Sequence, residues 1–172
     1  MRKFSEFKGP MINWPRVEVV KDVPEVLAEL RKAWKLCLAT NASDSYEKEI
    51  WAALRRVGLS QFLDRVYCSR RIGHRKPSPD FFEYILNDLG VHRSRVIMVG
   101  DDFESDVLGA VQCGIRAIWF NEHSQKSRIG KMFGTIHNFK SLQLAINAFL
   151  PRDLSSSCIF DTDDKRSAGF RY

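Results

Sequence analysis

The sequence contains no C-x-x-C pair. Its four cysteines, Cys37, Cys68, Cys113 and Cys158, stand far apart, which argues against a zinc site or a disulfide framework and leaves free thiols as the expectation. No apolar run approaches the roughly 20 residues of a membrane-spanning helix. The opening residues Met1-Arg2-Lys3-Phe4-Ser5-Glu6 lack the apolar core of a signal peptide. Together these absences predict a cytoplasmic protein that does not engage membrane. There is no internal repeat, which sets solenoids aside, and no zinc-finger or RNA-recognition pattern. Lys and Arg exceed Asp and Glu by 27 to 21, a formal net charge of +6. The basic residues are scattered, however, and only Arg70-Arg71-Ile72-Gly73-His74-Arg75-Lys76 is dense. That run reads as a solvated loop or as an attractor for a phosphorylated substrate, and nucleic acid is not the expected partner.

What is present suits one domain. The chain has 172 residues, 44% hydrophobic and 28% charged, enough for a real core. Residues 1–20, with Pro10 and Pro15, read as a flank, residues 21–150 as the folded domain, and residues 151–172 as a polar, flexible tail. Within the domain, apolar runs too short for helices alternate with helical periodicity. Asp22 suits the cap of a helix beginning near Val23. Leu36-Cys37-Leu38-Ala39 reads as a strand, and a helix follows from about Asp44 to Val57, ended by Gly58. Val66-Tyr67-Cys68 reads as a strand, Arg70 to Lys76 as a loop, and Ser78-Pro79 as the start of a helix running to Gly90. Val96-Ile97-Met98-Val99 is a strand ended by Gly100, and a helix from about Glu104 to Cys113 follows. Ile115 to Phe120 and Gly134 to His137 are further strands, and Ser141 to Leu150 a last helix. Alternation of this kind predicts an α/β fold, a parallel sheet with helices on both faces and right-handed crossovers.

In such sheets ligands bind just past the carboxyl ends of the strands. Three chemical features stand at predicted strand ends or the loops beside them: Thr40-Asn41, Lys76, and Asp101-Asp102 with Asp106. Clustered carboxylates are costly unless a cation compensates them; the bland alternative is an acidic loop capping the next helix. A hydroxyl and backbone amides can hold phosphate oxygens. A lysine balances phosphate charge, and hard carboxylate oxygens suit Mg²⁺, which bridges protein and phosphate. Together they describe a phosphoryl-transfer site.

In that order, the residues resemble the haloacid dehalogenase superfamily of phosphohydrolases. Leu38-Ala39-Thr40-Asn41-Ala42 resembles its second motif, Lys76-Pro77-Ser78-Pro79-Asp80-Phe81-Phe82 its third, and Val99-Gly100-Asp101-Asp102-Phe103-Glu104-Ser105-Asp106 its fourth. The continuation Cys113-Gly114-Ile115-Arg116-Ala117-Ile118-Trp119-Phe120-Asn121 follows the same pattern. The resemblance implies a three-layer α/β/α Rossmann-like domain that hydrolyses a small phosphate monoester with Mg²⁺. It implies that Thr40 and Lys76 are catalytic, that Thr40, Asn41 and Lys76 bind phosphate, and that Asp101, then Asp106, then Asp102, bind the metal.

The family's first motif, D-x-D-x-T or V on the central strand, supplies the nucleophile and the general acid/base. Only Asp22 precedes Thr40 among aspartates, with no strand in front of it. The expectation is therefore a fold incomplete at its N-terminus, from a chain that begins after that motif. A homo-oligomer or a partner chain would then cover the missing strand. The alternative is a permuted chain in which Asp161 and Asp163, in Cys158-Ile159-Phe160-Asp161-Thr162-Asp163, supply nucleophile and acid/base. A second functional class follows if the attack chemistry is gone: a non-catalytic phosphate- and Mg²⁺-binding or protein-interaction module.

Overall fold

A computed structural model describes residues 9–149 except residue 16. The predicted tail, with Cys158, Asp161 and Asp163, lies outside the described residues, as does Leu150. Five strands alternate with helices. The first half holds α1 (Val23–Leu30), β1 (Cys37–Thr40), α2 (Glu47–Arg56), β2 (Arg65–Cys68) and α3 (Ser69–Ile72). The second holds α4 (Pro79–Leu89), β3 (Ile97–Gly100), α5 (Gly109–Gln112), β4 (Arg116–Phe120), β5 (Phe133–Ile136) and α6 (Leu142–Phe149). The predicted alternation is therefore the observed one, with boundaries shifted by a few residues.

Among the described residues all strand pairs are parallel, but they form two sheets rather than one. β1 pairs with β2, placing Thr40 opposite Cys68. β3 pairs with β4, placing Gly100 opposite Trp119, and β4 pairs with β5. Because strand side chains alternate between faces, each strand divides its residues between two layers. On one face Ala39, Tyr67, Met98, Ala117 and Trp119 join a core with Phe81, Phe82, Ile85 and Leu86 of α4 and Ala110 of α5. This core runs continuously under both sheets. On the other face the core is divided. Ile97, Val99, Ile118 and Phe120 pack on α1 and α6, while Leu38, Val66 and Cys68 pack on α2. Helices thus cover both faces, giving the expected three layers.

Sequence explains the strongest elements. α4 opens on Pro79 at its first turn, buries Phe81, Phe82, Ile85 and Leu86 at helical spacing, and closes on Gly90 at φ 63°. Full burial of such an aromatic or aliphatic side chain contributes about 1.5–3 kcal/mol. Tyr67 adds a polar tie, donating a 2.6 Å hydrogen bond from its hydroxyl to Asp88 of α4. Burial first, and then this carboxylate, push its pKa upward.

Several local expectations are corrected. Asp22 offers α1 no side-chain cap; it sits at φ 65° and pairs with Lys140 at 3.5 Å. The run Arg70 to Lys76 is not all loop, because its first residues belong to α3, closed by Gly73 at φ 82°. The helix expected from Glu104 to Cys113 begins as a π-helical turn, Phe103–Leu108, before becoming α5. Over its described part the flank packs against α2. Trp14 packs in the α2 core, and Arg56 of α2 donates to the carbonyls of Ile12 and Trp14. Among the described residues no helix is long and apolar enough to cross a membrane.

Candidate active site

The carboxyl ends of β1 and β3 bring the predicted residues together, with Lys76 between them. Lys76 is buried at 7% exposure. Its ammonium donates to the Ala39 carbonyl of β1 at 2.8 Å and lies 2.7 Å from Asp106 Oδ1, just beyond β3. One charged group therefore links the two sheets. Burying it alone would be prohibitive; the buried Asp106 carboxylate opposite it makes the arrangement tenable.

Three devices hold Lys76 there. Asn41 uses both ends of its amide on the lysine's main chain: Lys76 N–H donates to Asn41 Oδ1 at 2.8 Å, and Asn41 Nδ2 donates to the Lys76 carbonyl at 2.9 Å. Gly109 lets α5 come up against the next residue, since a Cβ there would lie 2.8 Å from Pro77 Cβ. Gly100 does the same for the acid, because a Cβ on it would overlap Asp106 Cβ, Cγ and Oδ2. The expectation that Asn41 holds phosphate is thus joined by a different finding: its side chain positions the lysine. The residue type is legible in the sequence but its partner, 35 positions away, is not. Asn41→Ala removes two hydrogen bonds from a partly buried main chain, at about 1–3 kcal/mol in total. We expect it to lower phosphate affinity more than Asn41→Asp, which keeps one acceptor, as measured by calorimetric titration of inorganic phosphate.

The other predicted residues take distinct places. Thr40 Oγ1 accepts from the Ala42 N–H at 3.2 Å, leaving its hydroxyl proton to donate at the strand end. Ser69 and Arg70 fasten the same loop through the carbonyls of Ala42 and Ser43. Arg70 also stacks 4.2 Å from the Tyr46 ring centroid, and Arg71 pairs with Glu47 at 2.6 Å. Two members of the dense basic run are therefore structural ties. Asp106 is folded back, its Oδ2 accepting from the Asp102 N–H at 3.2 Å. Asp102 Oδ1 accepts from the N–H groups of Glu104 and Ser105 at 3.1 and 2.9 Å, capping the π-helical turn. This is the bland role of an acid at a helix start. Asp101 is exposed at the end of β3.

The sequence reading missed what holds Asp101. The Trp119 indole N–H donates to the Asp101 carbonyl at 3.0 Å, and Trp119 packs edge-on to Phe103 at 5.1 Å. The Arg128 guanidinium stands 4.1 Å from the Phe103 ring centroid. Aromatic residues within a strand normally signal core; Trp119 has a second task because its register places it opposite Gly100.

Mg²⁺ typically takes one or two carboxylates plus water and phosphate oxygens. Asp101 and Asp106 supply hard oxygen donors just beyond Gly100, where β3 ends, and suit it in kind. Among the described residues no group of three or more acidic, histidine or cysteine side chains forms a ready cage. Substrate and water would complete the shell.

The family profile for haloacid dehalogenase-like hydrolases matches residues 6–114. The chain belongs to that family. Pyrimidine 5'-nucleotidase YjjG of Escherichia coli (strain K12) is 34% identical over 106 residues, covering 61% of this chain and 46% of that protein. N-acylneuraminate-9-phosphatase of Homo sapiens is 32% identical over 126 residues, covering 71% and 50%. Among solved structures, an uncharacterized protein from Listeria monocytogenes serotype 4b superposes with a TM-score of 0.72 at 25% identity, covering 81% of this chain and 85% of that one. The chain spans about half the length of the curated relatives it matches. The haloacid dehalogenase-like assignment accords with the parallel sheets and the helices on both their faces.

Proposed function

We propose that this domain handles the phosphoryl group in Mg²⁺-dependent hydrolysis of a small phosphate monoester. The observation that carries the reading is Lys76. A buried ammonium, fixed by Asn41 and paired with Asp106, stands between the end of the strand bearing Thr40 and the end of the strand bearing Asp101. Thr40 donates its hydroxyl proton to a phosphate oxygen. Lys76 offsets the charge that accumulates on the phosphoryl oxygens, and its fixed position means it need not reorganise as the reaction proceeds. Asp101 and Asp106 hold Mg²⁺, with Asp102 fixing the turn between them. Bound Mg²⁺ would polarise the phosphoryl group and orient it.

Hydrolysis by this route also needs a carboxylate aimed at phosphorus, and Asp161 is the candidate. Its Oδ would bond to phosphorus as the substrate alcohol leaves, and water would then release phosphate and regenerate the carboxylate. Asp163 is the matching acid/base. Purified chain should turn over a generic aryl phosphate only with Mg²⁺, and Asp161→Asn should abolish that turnover. Asp101→Asn should weaken Mg²⁺ at least tenfold by calorimetric titration; unchanged affinity would remove Asp101 from the site.

A non-catalytic reading is favoured by one observation. Among the described residues Asp106 is the sole buried carboxylate, and its oxygens already face Lys76 and the Asp102 N–H. In that case the chain binds phosphate and Mg²⁺ with the same residues and no turnover follows. Mg²⁺-dependent phosphate binding, without hydrolysis in either the wild type or Asp161→Asn, would establish it.

A further inference from the structure

Gly100, Trp119 and Thr135 stand in register across β3, β4 and β5. The Thr135 hydroxyl fastens the main chain of Arg128, in the connection between β4 and β5. Its oxygen accepts from the Arg128 N–H at 2.9 Å, and its proton goes to the Arg128 carbonyl at 2.7 Å. The Arg128 guanidinium then stands 4.1 Å from the Phe103 ring centroid and 5.6 Å from that of Trp119. Phe103 meets Trp119 edge-on at 5.1 Å and Phe133 at 5.5 Å. This stack ends on one peptide unit, the one joining Asp101 to Asp102. Its carbonyl accepts from the Trp119 indole N–H at 3.0 Å, and its N–H donates to Asp106 Oδ2 at 3.2 Å. Both proposed metal ligands are therefore tied to a single peptide plane, Asp101 through the chain and Asp106 through its side chain.

We propose that Trp119 is a positioning residue for the two metal ligands, and that Arg128 secures it through Phe103. A peptide unit is a rigid plane that turns only about the dihedrals on either side of it. Held at one end, the Asp101–Asp102 plane could still swing; held at both, it cannot turn without breaking a hydrogen bond. Trp119 thereby fixes how the chain leaves Asp101, and through the Asp102 N–H it fixes where Asp106 Oδ2 lies. Mg²⁺ demands near-ideal octahedral geometry, so two carboxylates set in place before it arrives bind it better than a pair that must first be ordered. Arg128 adds the attraction of a cation for an aromatic face from a main chain that Thr135 has already fixed. Ordinary core packing would need only the rings of Trp119 and Phe103. The positioning role needs one atom more, the indole N–H, and that separates the two. The value of this clamp to Mg²⁺ rests on the phosphatase reading; its hydrogen bonds do not.

The test places β-(3-benzothienyl)alanine at position 119 of the full chain, which keeps the bicyclic ring and puts sulfur where the indole has its N–H. Losing one hydrogen bond of this kind should weaken Mg²⁺ about fivefold by calorimetric titration. In metal-free chain the Asp102 amide should exchange faster by about the same factor. Ile146→Val, a loss of packing in the α6 core, should alter neither quantity. Arg128→Ala should weaken Mg²⁺ about twofold when Trp119 is present and have no further effect in the benzothienyl chain. Equal Mg²⁺ affinity with and without the indole N–H, or unchanged Asp102 exchange, would overturn the positioning role and leave the phosphatase reading. An equal effect of Ile146→Val would overturn it too, since the cause would then be general loss of stability. Additive losses would show that Arg128 does not act through Trp119. A wild-type chain that binds no Mg²⁺ would overturn the phosphatase reading and the positioning role together.

Discussion

Lys76→Met should lower the melting temperature by about 6–20 °C. Removing one partner of a buried ion pair costs about 3–5 kcal/mol, because the other charge is left buried and uncompensated. Each kcal/mol moves the midpoint of a domain of 150–250 residues by about 2–4 °C. The pair is buried, with side chains 8% and 6% exposed and atoms 2.7 Å apart, so little solvent screening discounts that range. The Ala39 carbonyl loses its donor in the same change. A double variant, Lys76→Met with Asp106→Leu, separates the causes. Replacing both charges with apolar groups of similar volume is often neutral, so thermal stability should largely return while affinity for inorganic phosphate does not. Scanning calorimetry reads the first quantity and phosphate titration the second. A shift below about 2 °C in the single variant would mean that this pair is solvated in the protein.

Gly100→Ala should be almost as damaging, although it adds one methyl group. The new Cβ would occupy the space of Asp106 Cβ, Cγ and Oδ2, and these atoms belong to a short side chain close to the backbone, with little room to swing aside. Overpacking typically costs about 1–3 kcal/mol and sometimes more; here relief requires Asp106 to leave Lys76, which adds part of the ion-pair loss. Gly134→Ala is the internal control, since its Cβ would meet Phe149 Cζ at an ordinary 3.8 Å. Urea midpoints should fall sharply for the first variant and hardly at all for the second. Equal effects would show that strand glycines matter here for backbone freedom and not for the approach of Asp106.

The elements themselves were legible because their signals are local. Pro79, the apolar spacing of Phe81, Phe82, Ile85 and Leu86, and Gly90 specify α4 within a dozen positions. Val96-Ile97-Met98-Val99 and Arg116 to Phe120 read as strands from apolar content alone. The site was legible as a set of residue types in order. What each residue does there was not, because that depends on contacts remote in sequence. Asn41 meets Lys76 across 35 positions, and Trp119 meets Asp101 across 18. Asp102 shows the reverse case: three acids close together look alike as metal ligands, and only the two N–H groups pointing at Asp102 Oδ1 reveal a helix cap. The π-helical turn was equally hidden, since Phe103 to Gln112 carries an ordinary helical pattern, although the Val107 N–H reaches back five residues to the Asp102 carbonyl at 3.4 Å. Two sheets in place of one could be anticipated only through the family's first motif, because no residue in β1 or β3 announces which neighbour it will have.

The divided core on the second face bears on how the domain comes apart. α2 with β1 and β2 forms one packed unit there, and α1 and α6 with β3, β4 and β5 form another. They share the α4 core on the opposite face and the Lys76 tie. Cooperativity between these units is therefore carried by one layer instead of two. Each has its own apolar cluster and its own hydrogen-bonded ladder, the ingredients of a separate foldon. The β1–β2 unit, with the smaller cluster and the shorter ladder, should open first in amide exchange. Thr40 and Asn41 should open with it, so the loop after β1 belongs to the less stable of the two foldons while Asp101 and Asp106 belong to the more stable.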